Sequence, residues 1–143
     1  VTAYDISSDA LLIAHDNAIR LGAAVNFQLK DALQLTATEE TFDIIVSNPP
    51  YICDNERTEM MRNVLEYEPS TALFVPDDDP LRFYRSIAEY GTTALSHGGE
   101  LYFEINARFA DEVSAMLNAL GYAEIEVRND QFGRQRFVKA IRP

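Results

Sequence analysis

The sequence predicts an α/β fold, a largely parallel sheet with helices between its strands that finishes in an antiparallel hairpin. Three observations predict it. Short runs rich in β-branched and aromatic residues alternate with segments whose apolar residues recur at helical spacing. One run, Phe42-Asp43-Ile44-Ile45-Val46, stops at Asn48-Pro49-Pro50, since neither proline donates a ladder hydrogen bond and each fixes φ. The last two runs, Tyr122 to Val127 and Arg134 to Ile141, are joined by Asn129-Asp130-Gln131-Phe132-Gly133, a hairpin signal.

Taken in order, Val1-Thr2-Ala3-Tyr4-Asp5 begins in mid-strand and Asp5 ends it. Ser7 or Ser8 caps the helix that follows, with Asp9 in its first turn. Leu11, Ala14, Ala18 and Leu21 fall on one face, His15 reads as a surface or boundary residue, and Gly22 stops the helix. Val25 to Leu29 alternates as a strand and gives way to Lys30-Asp31-Ala32, followed by a polar link from Gln34 to Thr41. The Phe42–Val46 run reads as a buried parallel strand. From Asp54 to Pro69 the chain is polar, with Met60, Met61, Val64 and Leu65 as apolar anchors, so a loop and a short helix are expected.

Asp77-Asp78-Asp79 reads as a solvated acidic turn, because three adjacent carboxylates do not converge on one ion unaided. Pro80 is set up as the first residue of a helix. Its core face is Leu81, Tyr84, Ile87, Ala88 and Leu95, and Gly98-Gly99 ends it. Leu101 to Ile105 is a buried strand. Phe109, Val113, Met116, Leu117 and Leu120 line a further helix that stops at Gly121. Arg134, Arg136 and Lys139 form the one tight basic group; it is read as lying on one face of the final strand, a solvated face more than a phosphate track.

At 143 residues the chain is long enough for one core, and residues 1–143 are read as one domain. Twelve Lys and Arg against 23 Asp and Glu leave a net charge of −11, the wrong sign for a chain whose affinity rests on phosphates. No apolar run approaches the ~20 residues that a bilayer requires. The one cysteine, Cys53, has no internal disulfide partner, which suits a reducing cytoplasm. With no histidine near it in sequence, Cys53 reads as a bystander thiol.

The stretch Ser47-Asn48-Pro49-Pro50-Tyr51-Ile52 is a stiff loop at the carboxyl end of a strand, where open α/β sheets place their ligands. The Asn48 carboxamide offers one acceptor and two donors, and the Pro49 carbonyl is a second acceptor. The pair suits an sp² nitrogen held by both hydrogens, with Tyr51 able to stack on its planar group. Asn-Pro also serves simply to open a turn.

Asn48-Pro49-Pro50-Tyr51 resembles the signature of S-adenosylmethionine-dependent methyltransferases that act on planar amide or amino nitrogens. The wider set, Val46 to Ile52, Glu68-Pro69, Ala72-Leu73, Leu81-Arg82-Phe83-Tyr84, Gly98-Gly99, Phe103-Glu104 and Asp130…Arg136-Phe137-Val138, resembles the PrmC/HemK family. That family methylates the glutamine amide in the Gly-Gly-Gln motif of peptide chain release factors. The resemblance implies a Rossmann-like class I fold in three layers, with S-adenosyl-L-methionine as cofactor and a release factor as partner, and with neither nucleic acid nor membrane involved. It implies that Asn48, Pro49, Pro50 and Tyr51 are catalytic and bind the substrate. Asp5 would hold the ribose, Asp31 and Ala32 the adenine, and Asn48 would touch the cofactor edge. Without the resemblance, Asp5 reads equally well as a helix-entry residue.

Departures from the family are Lys30 before Asp31, Pro80 after Asp79, Asn106 in place of a glycine, and Phe109-Ala110 where glutamine is common. No glycine-rich loop is present, and the first strand of such a sheet is missing, so the expectation is a piece of a longer protein, itself inactive, whose sheet lacks its centre. Two other readings use the same residues: an adenine-N6 methyltransferase of DNA or RNA, and a non-catalytic protein-binding module.

Overall fold

The computed structural model describes residues 1–37, 39–59 and 69–143. Met60, Met61, Val64, Leu65 and Glu68, and with them most of the short helix expected before Pro69, lie outside the described residues. The chain divides into two compact units, Val1–Thr36 and Ala37–Pro143.

In the first unit, β1 (Thr2–Asp5) pairs in parallel with β2 (Asn26–Leu29), and α1 (Ser8–Leu21) connects them. The side chain of Ser7 accepts the Ala10 N–H at 3.2 Å and caps α1. At the other end Gly22 takes φ 65°, and its N–H reaches Ala18 and Ile19 carbonyls. Ala18 is buried and Leu11 and Ala14 half-buried, as the periodicity predicts, but Leu21 is 81% exposed. It is the last helical residue, where the apolar stripe has run past the two short strands. His15 is exposed and meets Phe27 edge-on at 6.0 Å.

In the second unit a four-stranded sheet has the order β3-β6-β8-β7, from β3 (Phe42–Ser47), β6 (Leu95–Glu104), β7 (Ala123–Asn129) and β8 (Gln135–Ile141). Strands β3 and β6 are parallel; β8 runs antiparallel to both β6 and β7. The longer parallel pairs, β1-β2 and β3-β6, therefore fall in separate sheets, one in each unit. A small parallel pair, β4 (Ile52–Cys53) with β5 (Phe74–Val75), follows the proline loop. Its two-residue strands are too short to show a period in the sequence. Helix α2 (Ser70–Leu73) precedes β5 and follows Pro69.

Helices α3 (Arg82–Ala94) and α4 (Ala110–Ala119) cover one face of the larger sheet. Leu101, Phe103 and Ile105 point to that face, as do Val138 and Ala140 opposite them; Tyr84, Ile87, Ala88, Val113 and Leu117 of the helices close on them. Tyr84 and Phe103 meet edge-to-face at 5.2 Å. Each such large side chain removed from water contributes about 1.5–3 kcal/mol.

Four expectations are corrected here. The β3 run is parallel but not buried: Ile44 is 54% and Val46 74% exposed. It is the edge strand of its sheet, and these two side chains face away from α3 and α4. Second, the helix starts at Arg82, with Leu81 as its N-cap, rather than at Pro80. Third, it ends at Ala94, and Gly98-Gly99 lies inside β6. Leu95 turns extended at φ −80°, ψ 144°, and Gly98 at φ 77° lets the strand bulge, which moves the register from Phe42↔Leu95 to Ile44↔Glu100. Fourth, the basic group is split. Arg136 and Lys139 are three residues apart in a period-two strand, so they lie on opposite faces, and Arg134 precedes the strand. Lys139 pairs with Glu100, and Arg136 with Asp130 at 3.5 Å.

Candidate active site

The proline loop leaves β3 with Asn48 exposed, Pro49 buried, and Pro50 and Tyr51 half-buried. A strand followed by two prolines has no ladder to continue, so the chain turns out of the sheet here and Asn48 is presented to solvent. Asn48 lines an open groove of about 590 Å³ with Ile44, Val46, Tyr102, Glu104 and Phe137. The groove runs across the sheet face that α3 and α4 do not cover.

Tyr51 is fastened at both ends. Its hydroxyl donates to Glu104 Oε1 at 2.7 Å, and Arg136 Nη1 reaches the same hydroxyl at 3.5 Å. Its backbone carbonyl accepts from Asn106 Nδ2 at 3.2 Å. Tyr84 donates its hydroxyl to the Glu104 carbonyl at 3.2 Å, so the end of β6 is tied to α3 as well. Burial first, then the adjoining Glu104 carboxylate, push the Tyr51 phenol up to about 12, with Arg136 acting in the opposite direction. Tyr51 is thus a neutral hydrogen-bond donor across the physiological range, and not a base.

Beyond Tyr51 the chain enters a 3₁₀ turn, Asp54–Glu59. Glu56 folds back within it: its Oε2 accepts from the Cys53 N–H at 2.9 Å and from Asn106 Nδ2 at 2.9 Å, and Oε1 meets Arg108 at 3.3 Å. Burial opposes its ionisation, but the Cys53, Arg108 and Asn106 donors outweigh that and hold the carboxyl below its usual range. Cys53 is buried, and burial and Glu56 together push its thiol up, which fits a bystander.

In the first unit, Asp5 and Asp31 close the adjacent ends of β1 and β2. Asp5 is exposed and its Oδ1 accepts from the Ser7 N–H at 2.8 Å. Asp31 is half-buried; its Oδ1 accepts from Leu33 N–H at 2.9 Å and its Oδ2 from Gln34 Nε2 at 2.8 Å. Ala32 beside it is half-buried. The parallel pairing Asp5↔Leu29 brings these residues to one end of one sheet. Asn48 to Tyr51 belong to the other unit.

The acidic turn is engaged with protein groups: Asp77 Oδ1 accepts from Asn55 N–H at 3.0 Å, and Asp79 pairs with Arg85 at 3.0 Å. No described helix is long and apolar enough to cross a membrane. The residues that sequence reasoning missed are Glu56, Glu104, Asn106 and Arg136 as partners of the loop. Glu104 and Arg136 stood among the residues that carried the resemblance, and Asn106 stood out as a departure from it. No local pattern ties any of them to Tyr51.

Residues 1–67 match a family profile described as a methyltransferase domain. A release factor glutamine methyltransferase of Bacteroides thetaiotaomicron is 48% identical over 143 residues, covering 99% of this chain and 51% of that protein. One from Flavobacterium psychrophilum is 43% identical over 139 residues, covering 97% of this chain and 49% of that one. The chain spans about half the length of the curated relatives it matches. Among solved structures, a methyltransferase from Pyrococcus furiosus has a TM-score of 0.70 at 18% identity, over 99% of this chain and 62% of that chain. The N-methyltransferase NodS from Bradyrhizobium japonicum, crystallised with S-adenosyl-L-homocysteine, has a TM-score of 0.57 at 20% identity, over 98% and 64%. These likenesses establish the α/β, Rossmann-like class I methyltransferase fold. Along nearly all of its own residues, the chain is similar to proteins named release factor glutamine methyltransferase.

Proposed function

We propose that the protein to which this chain belongs methylates, with S-adenosyl-L-methionine, the glutamine side-chain amide in the Gly-Gly-Gln motif of a peptide chain release factor. The observation that carries the reading is the loop Asn48-Pro49-Pro50-Tyr51, placed at the carboxyl end of β3 with Asn48 exposed and Tyr51 tied down. The similarity to proteins named release factor glutamine methyltransferase supports the same substrate. With that substrate the protein works in the cytoplasm, on a protein partner and not on nucleic acid or a membrane.

The chemistry asked of these residues is orientation. The Asn48 side-chain oxygen and the Pro49 carbonyl each accept one hydrogen of the substrate –NH₂, which fixes the nitrogen and aims its π lone pair away from the loop. Tyr51 packs against the amide plane, and Pro50 keeps the loop stiff. Orientation of this kind supplies up to roughly 7–11 kcal/mol. When bound, the cofactor supplies a sulfonium methyl as electrophile. The residues present fit it: Asp5, exposed at the end of β1, offers a carboxylate to ribose hydroxyls, and Asp31 with Ala32 offers an acceptor and an apolar surface to adenine. The amide proton leaves to solvent, since the Tyr51 phenol holds its own proton up to about pH 12.

The test is methyl transfer by the full-length protein from tritiated cofactor, with a release factor and a DNA duplex or RNA side by side. Label in the release factor, lost when its Gly-Gly-Gln glutamine is replaced, is the expected result. Label in the nucleic acid and not in the protein overturns the reading.

A further inference from the structure

The loop is held from one place, the last residues of β6 and the residue two beyond. Glu104 takes the hydroxyl of Tyr51, and Asn106 takes its carbonyl. Asn106 is 8% exposed, and its polar side chain is used throughout. Nδ2 donates to the Tyr51 carbonyl at 3.2 Å and to Glu56 at 2.9 Å, while Oδ1 accepts from the Arg108 N–H at 3.1 Å. That last bond caps the 3₁₀ turn Ala107–Phe109. Its φ of −71° is ordinary for any residue, so the position does not call for glycine. The asparagine that departs from the family's glycine therefore makes three hydrogen bonds that a glycine lacks. Behind Glu104 stands a second layer: Tyr84 on the Glu104 carbonyl, Arg136 on the Tyr51 hydroxyl, and Asp130 on Arg136.

We propose that Glu104 and Asn106 are positioning residues for Tyr51, clamping its ring at the hydroxyl and at the backbone so that it forms a fixed wall of the substrate subsite. The inference rests on reading the Asn48–Tyr51 loop as the place where the substrate amide sits. A ring anchored at one end is free to swing about that end; anchored at both, to the last residue of a strand inside a packed sheet and to the residue two beyond it, it keeps one orientation. In this chain part of the clamp is supplied by a side chain, Asn106, and the loop beyond Tyr51 is drawn in with it through Glu56 and Cys53.

Two measurements on the full-length protein test this. The first follows the Tyr51 ring by NMR with ¹³Cζ-labelled tyrosine, its signal assigned from Tyr51→Phe. Glu104→Gln removes the neighbouring charge and is expected to move the Tyr51 titration to lower pH. Asn106→Ala is expected to change the Tyr51 shift at neutral pH. Unmoved signals in both variants overturn the clamp, whatever the protein's activity.

The second measurement is release-factor methylation. Glu104→Ala and Asn106→Ala are expected to lower kcat by roughly 10- to 100-fold, the scale of a misplaced reacting group, with cofactor Kd within about twofold of wild type. Glu104→Gln, whose amide oxygen still accepts from Tyr51, recovers most of what Glu104→Ala loses. Asn106→Asp matches the shape but has no donors, so it recovers nothing; recovery there would mean that the side chain only fills space. Altered NMR signals with unchanged kcat overturn the positioning role. A wild-type protein that methylates no release factor sinks the underlying reading instead, a result the NMR measurement does not share.

Discussion

The hydroxyl of Tyr51 donates to the Glu104 carboxylate at 2.7 Å, across 53 residues of chain. Strands β3 and β6 are parallel neighbours, so the loop leaving one and the end of the other come out on the same edge of the sheet. That juxtaposition is what a parallel sheet offers a site: residues far apart in sequence, on adjacent strand ends, with rigid backbones behind them.

A pH dependence of stability follows from this pair. The Tyr51 phenol rises from its ordinary 10.0 to about 12 in the folded chain. Between those values the unfolded chain has already lost the proton that the folded chain keeps. The stabilisation is fully present below about pH 10 and is lost as pH rises to about 12. Urea midpoints of wild type and Tyr51→Phe, followed from neutral pH upward, are expected to differ by a wild-type decline confined to that window. Parallel curves would remove the coupling.

Asn48→Ala removes the proposed acceptor for the substrate amide. Methyl transfer by the full-length protein is expected to fall roughly 10²–10³-fold, the scale for one preorganised polar group, with cofactor affinity within a few-fold. Single-turnover rates and calorimetric titration separate the two effects. Near-normal turnover would take Asn48 out of the mechanism.

In α3, Gly91 lies against the Tyr122 hydroxyl, which donates to the Ala88 carbonyl at 2.8 Å; a Cβ at position 91 would collide with it. Alanine is the better helix former by roughly 1 kcal/mol, yet Gly91→Ala is expected to destabilise by about 1–3 kcal/mol because the site is overpacked. Combining it with Tyr122→Phe, which removes the obstructing oxygen, is expected to cost less than the sum of the two single changes. Chemical unfolding measures both. A stabilised Gly91→Ala protein would contradict this packing.

The Cys53 thiol is buried, and burial and Glu56 raise its pKa. A disulfide reagent is expected to label it slowly in the native protein and at once in denaturant, because reaction waits for local opening. Rapid stoichiometric labelling under native conditions would show the β4 segment to be open to solvent.

Much of the fold was legible in the residues themselves. Ser7 and Gly22 bound α1 because a hydroxyl that accepts a free N–H and a residue that tolerates positive φ are local requirements. The stop at Pro49-Pro50 and the final hairpin are local in the same sense. Also legible was the stiff loop that presents Asn48, since its residues lie consecutively in the chain.

What tertiary structure alone decided is burial and partnership. An apolar run such as Phe42–Val46 announces a strand, but its period says nothing about which face a helix will cover, and Ile44 and Val46 lie on the uncovered one. Helix α3 ends several residues before Gly98-Gly99, and glycine serves a helix end and a strand bulge equally well. The partners of Tyr51 were hidden for the strongest reason. Glu104, Asn106 and Arg136 lie 53, 55 and 85 residues along the chain, and only the pairing of β3, β6 and β8 brings them to one ring. Caps, turns and periods are energies of neighbouring residues and can be read in order; a hydrogen bond across a sheet exists only once the sheet has closed.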